Sequence, residues 1–137
     1  MSLRSTDLGA TWERLPRGPG IADLAIDDNG PGHYYAADPL RNAVDVSADG
    51  GATWVSSPLP AGALPRTLAL DPFRAGVIYL AGDGGVFVSR DSGQSWESLE
   101  AGLPHLPVLS LAVSTFQETV LYAGTAGRGG LFSLTLR

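Results

Sequence analysis

The chain has 137 residues, 44% of them apolar and only 17% charged, with a formal net charge of −5. That length suits about one domain with a packed core, and an acidic balance without any basic run argues against nucleic acid, whose phosphates need clustered Lys or Arg. Cys and Lys are both absent, which excludes disulfides, thiolate catalysis, Cys-ligated zinc, lysine Schiff bases and the P-loop.

In chain order the sequence repeats itself. STDLGATW (5–12) leads into a short segment, WERL (12–15), followed by a Pro-rich link, PRGPG (16–20). DLAID (23–27) then alternates apolar with small or polar residues, as a strand with one buried face does. The turn DNGPGH (28–33) follows, with predicted strands YYAAD (34–38) and AVDVS (43–47). SADGGATW (47–54), WVSS (54–57) and the link PLPAGALP (58–65) complete the unit. The second unit reads TLALD (67–71), PFRAG (72–76), VIYLAG (77–82), GVFVS (85–89), SRDSGQSW (89–96) and WESL (96–99). The third follows the link AGLPHLP (101–107) with SLAVS (110–114), TFQE (115–118), VLYAGT (120–125) and GLFSL (130–134). Gly or Pro interrupts every segment, and none shows helical spacing.

The eight-residue motif fits S-x-D-x-G-x-[ST]-W three times, its serines Ser5, Ser47 and Ser89 equally spaced by about 42 residues. Each residue type has work in a hairpin turn. The carboxylates of Asp7, Asp49 and Asp91 can accept backbone N–H groups just ahead of them. Gly9, Gly51 and Gly93 can take positive φ without steric cost. Trp12, Trp54 and Trp96 offer large apolar plates. Units of four short strands at this period predict an all-β protein built of propeller blades.

The pattern resembles the Asp-box, or bacterial neuraminidase repeat, over nearly the whole chain; 71–96 is especially similar to non-enzymatic bacterial members. The repeat occurs in sialidases, plant-polysaccharide hydrolases, sortilin-type receptors and photosystem II assembly factor-like proteins. The resemblance implies that the boxes are structural and lie opposite the ligand-binding end. Ser92 stands where many copies have Gly, and no box follows Leu134.

The expected organisation is a single domain, 1–137, with repeats at about 16–57, 58–99 and 100–137 plus 1–15. The strand at 12–15 would complete the last blade. Three blades are too few for a closed ring, which usually needs about four to eight. The chain is therefore expected to be part of a longer propeller or to form a six-bladed homodimer. No apolar run reaches the 18 or so residues of a membrane span. No signal peptide is visible, Met1-Ser2-Leu3 reads as a cloning remnant, and the compartment is unassigned.

Antiparallel strand order puts the links and the loops between second and third strands at the end opposite the motifs. The links carry Arg17, Arg66 and His105; the loops carry Arg41, Asn42, Asp83 and Arg128. This end is the expected ligand face, for a protein or a glycan. Tyr35, Tyr79 and Tyr122 form one repeating column, read as core packing and not as sialidase-type nucleophiles. Asp23, whose counterparts are Thr67 and Ser110, and Asp83 are the carboxylates near the mouth. His33 and His105 lack companion ligands, so no metal, cofactor or catalytic residue is assigned. The expectation is a non-enzymatic binding or scaffolding module. The alternative is a fragment of a glycoside hydrolase, sialidase-like or acting on a polysaccharide, with its catalytic residues elsewhere.

Overall fold

A computed structural model describes residues 2–15, 21–30, 32–99, 107–127 and 130–136. Among them it is all β. The strands are β1 (Ser2–Arg4), β2 (Glu13–Leu15), β3 (Asp23–Asp27), β4 (His33–Asp38), β5 (Ala43–Ser47), β6 (Val55–Pro58) and β7 (Pro65–Leu70). They continue with β8 (Ile78–Gly82), β9 (Gly85–Ser89), β10 (Glu97–Ser98), β11 (Val108–Ser114), β12 (Thr119–Thr125) and β13 (Gly130–Leu136). Two antiparallel four-stranded meanders, β3-β4-β5-β6 and β7-β8-β9-β10, are followed by a three-stranded one, β11-β12-β13.

The expected arrangement fails at one point. The strand after the first motif, β2, does not complete the last sheet. It pairs with β1 in the register Ser2↔Leu15, Leu3↔Arg14 and Arg4↔Glu13, and Arg4 Nε donates to Glu13 Oε1 at 2.6 Å. Residues 2–4 precede their motif as β5 and β9 precede theirs, so β1–β2 is the second half of a further repeat. A short local hairpin closes at smaller entropic cost than pairing across the chain.

The sheets pack face to face because consecutive residues of each middle strand point to opposite sides. On β8, Ile78 and Leu80 turn toward the first sheet and, with Leu68 of β7, pack against Tyr35, Ala37 and Val44. Tyr79 and Ala81 turn toward the third and, with Val86 and Val88 of β9, pack against Val108, Leu121 and Ala123. Both faces of the second sheet are therefore covered, and burial of each such Ile or Leu stabilises by about 1.5–3 kcal/mol. Tyr35 and Tyr79 are core residues as expected, but Tyr122 is 37% exposed, because no described sheet covers its side of the third sheet.

Candidate functional site

The three motif turns share one hydrogen-bond pattern. In the second copy Ser47 Oγ donates to Asp49 Oδ1 and accepts the Gly51 N–H, both at 2.8 Å. Asp49 then accepts from the Thr53 N–H at 2.8 Å and the Thr53 hydroxyl at 2.5 Å. Asp7 receives the same bonds from Ser5 and Thr11, and Asp91 from Ser89 and Ser95. Donors converging on the charged form hold Asp7 below its usual pKa, and Asp49 and Asp91 at about 2. Gly9, Gly51 and Gly93 all have φ between 83° and 90°. The residue before each is also left-handed, including the non-glycines Leu8 (φ 58°) and Ser92 (φ 59°). Each carboxylate accepts three hydrogen bonds from its own turn, through both oxygens, so these carboxylates are staples.

The motif turns and the turns after β3 and β7 lie at one end of the sheets: Gly50 N donates to Gly32 O, and Ser92 N to Gly76 O, both at 3.0 Å. At the other end the link after β6 is clasped from two sides. Asn42, in the left-handed region at φ 52°, donates through Nδ2 to the Leu59 and Pro60 carbonyls at 3.2 and 2.9 Å. Its Oδ1 accepts the Leu64 N–H at 2.7 Å. From the second sheet, Gly84 N donates to Ala63 O at 3.1 Å. Gly82 and Gly84 allow this approach, since a Cβ on either would strike the carbonyls of Leu64 or Gly62.

Beside this latch stand the charged groups. Arg66 lies on β7 and not in the link, and its Nε and Nη2 donate to Asp83 Oδ1 and Oδ2 at 2.5 and 3.2 Å. The pairing holds the Asp83 carboxyl below its usual pKa and the Arg66 guanidinium above its own. Both side chains reach solvent. Arg41 is exposed, with its Nε 3.8 Å from the buried carboxylate of Asp38. Asp23 bridges the seam between the first two sheets, accepting the Thr67 hydroxyl at 3.1 Å and the Leu68 N–H at 2.8 Å.

Of the residues expected to ring the mouth, Asn42 anchors the link beside Arg41, and Arg66 and Asp83 neutralise one another. Arg17, His105 and Arg128 lie outside the described residues. Asn42's role was not legible in advance, although Asn is enriched among residues with positive φ. Burial pushes the Tyr35 and Tyr79 hydroxyls up in pKa, opposite to what an activated nucleophile requires. A cleft of about 460 Å³ opens at the motif end, between β5–β6 and Ser92–Gln94, away from this charged cluster.

No family model matches the chain. It is 30% identical over 122 residues to a xyloglucanase from Hypocrea jecorina, across 88% of this chain and 14% of that protein. The GH74 xyloglucanase from Xanthomonas campestris superposes with a TM-score of 0.69 at 26% identity, across 98% of this chain and 21% of that one. The GH74 enzyme of Niastella koreensis gives 0.75 at 19% identity, across 97% and 20%. YCF48 bound to D1 peptide gives 0.67 at 20% identity, across 96% and 44%. The fold is a partial β-propeller. The chain spans about a seventh of the curated relative and about a fifth of the two GH74 structures. The xyloglucanase of which the chain matches a part and the GH74 xyloglucanase are enzymes, which overturns the expectation of a non-enzymatic module. That expectation came from bare motifs without paired carboxylates, a test that a segment of a larger enzyme does not meet, because its carboxylates can be divided among blades.

Proposed function

We propose that the chain is part of the propeller of a glycoside hydrolase acting on a xyloglucan-type polysaccharide. The observation that carries this reading is the 30% identity to a xyloglucanase over 122 residues. The motif is, in this reading, the Asp-box of that repeat family, and residues 16–57, 58–99 and 100–137 are consecutive blades. The ring is completed by further blades of a longer protein or by a second copy.

The saccharide-facing end is the one that carries Arg41, Asn42, Arg66 and Asp83. Glycoside hydrolysis by two carboxylates needs one that is ionised and one that is protonated. Asp83 is solvent-accessible and held ionised by Arg66, which suits it to the base or nucleophile role. The acid partner comes from another part of the ring. Arg41 and the latched link form a rim that hydrogen-bonds sugar hydroxyls.

Reducing-end release from xyloglucan by the protein carrying this segment tests the reading, with Asp83→Asn and Arg66→Ala alongside. Asp83→Asn should lower kcat by at least about a hundredfold if it is a reacting carboxylate. Arg66→Ala should raise the pH at which the acid limb of the rate profile falls. Full activity in Asp83→Asn would remove Asp83 from the chemistry, and no cleavage of xyloglucan would remove the substrate assignment.

A further inference from the structure

Asn42 and Gly84 hold the same place in successive repeats, each directly before the third strand of its sheet, β5 and β9. Both grip the link between the two sheets. Gly84 does so with its main chain, through the bond to the Ala63 carbonyl. Asn42 does so with a side chain that Leu59, Pro60 and Leu64 all engage. The asparagine therefore adds to the link a set of bonds that the glycine of the next repeat cannot make.

Those bonds fall on a strained residue. Leu64 has φ 43°, a left-handed conformation that a bulky side chain rarely adopts. Its side chain reaches solvent, so packing does not hold it there. Its backbone groups do. The Leu64 N–H donates to Asn42 Oδ1 at 2.7 Å, and the Leu64 carbonyl accepts the Asp83 N–H at 3.4 Å. Leu64 thus stands between a side chain of the first sheet and the backbone of Asp83 in the second. Arg66, which holds the Asp83 carboxylate, follows shortly on β7. Both halves of the ion pair hang on the path of the chain through Leu64, and backbone strain persists where the surrounding bonds enforce it.

We infer that Asn42 is a positioning residue for Asp83: its side chain holds Leu64 left-handed, and Leu64 in turn fixes where the Arg66–Asp83 pair stands. The part that the pair plays in hydrolysis rests on the proposed function; the coupling of Asn42 to the pair does not. Under that function Asn42 touches no reacting atom. It acts through orientation, where a misplacement of about 1 Å costs on the order of a hundredfold in rate.

The test is Asn42→Gly, which accommodates the positive φ of residue 42 and removes only the side chain. Two signals are followed by NMR in the 137-residue chain: the Arg66 Nε–H resonance and the pH titration of the Asp83 carboxyl. In Asn42→Gly the Nε–H resonance should move toward that of a free guanidinium. The Asp83 titration should rise toward the ordinary carboxylate range, because Arg66 is the charge that holds it down. Asn42→Asp keeps an oxygen for the Leu64 N–H and should return the Arg66 resonance to its wild-type place. Wild-type signals in folded Asn42→Gly, or no restoration in Asn42→Asp, would overturn the coupling. If Asn42→Gly does not fold, the wild-type chain decides: the Leu64 and Asp83 amides should exchange with deuterium at one common rate, and independent exchange overturns the coupling. In the protein carrying this segment, Asn42→Gly should lower kcat on xyloglucan about tenfold or more with KM little changed. An unchanged kcat there, with Asp83→Asn inactive, overturns the positioning role. Full activity in Asp83→Asn, with the NMR changes of Asn42→Gly present, overturns only the assignment of Asp83.

Discussion

Asp23 and Leu68 sit on the innermost strands of adjacent blades, and Asp23 Oδ2 accepts the Leu68 N–H at 2.8 Å. The same oxygen takes the hydroxyl of Thr67, the residue at Asp23's own place in the next repeat. The bond spans the seam between two sheets, whose inner strands β3 and β7 do not pair with one another among the described residues. Asp23→Ala should therefore destabilise by about 1–3 kcal/mol, since it strands a backbone donor at a half-buried seam. Urea unfolding with unchanged m-value measures it, and a midpoint equal to wild type would show the seam bond to be dispensable.

Ser47→Ala and Ser5→Ala make the same chemical change in two copies of one turn. Ser47 is 1% exposed and satisfies a buried Gly51 N–H, so its loss should cost about 1–3 kcal/mol. Ser5 and its partner Gly9 stand in an exposed turn, where water replaces the hydroxyl. Thermal melts of the two variants should separate clearly, Ser47→Ala lower. Equal shifts would mean that burial does not set the cost.

Gly82→Ala tests the latch at the opposite end. A Cβ there would collide with the Leu64 carbonyl and come within 2.5 Å of that of Ala63. Both obstacles are backbone atoms, so relief requires moving the link. Overpacking of this kind costs about 1–3 kcal/mol or more. Gly62→Ala in the same link meets no atom within 4 Å but has φ 80°, and should show only the smaller strain of a left-handed alanine. A Gly82→Ala protein as stable as wild type would refute the close approach.

Acid should loosen the motif turns. The folded pKa of Asp49 and of Asp91, about 2, lies below the ordinary value of 3.8. Their contribution is thus complete above the unfolded pKa and is lost as pH falls from about 4 toward about 2. The cause is hydrogen bonding from Thr53 and Ser95, so added salt should alter this slope little. The melting temperature should decline across that window, and Asp49→Asn should flatten the decline. A melting temperature independent of pH between 5 and 2 would contradict it.

Much of the architecture was legible because its signals are local. Alternation in DLAID, AVDVS and GVFVS marks β3, β5 and β9 at their observed bounds, and the Ser-Asp-Gly-Trp spacing marks the turns that join them. β1 was missed because three residues are too few to show a period. The Asp23–Thr67 contact needs the radial stacking of blades, which places equivalent residues opposite one another although 44 positions apart. Arg66 and Asp83 read as two independent loop charges. Their pairing depends on the β7–β8 register, in which Pro65 stands opposite Gly82. Function was least legible. The motifs reveal how a hairpin is stapled, whereas the chemistry of a propeller depends on loops gathered from many blades.

The clasp on the link after β6 is made by Asn42 and by main-chain atoms of the next sheet, while Pro60, Ala61 and Leu64 point outward. The contour of that rim is thus set by the polypeptide skeleton and not by what decorates it. Under the proposed function, substitution at those outward positions retunes which polymer is accepted while the scaffold stays intact, so this stretch is where selection or an engineer can change preference at least risk to folding.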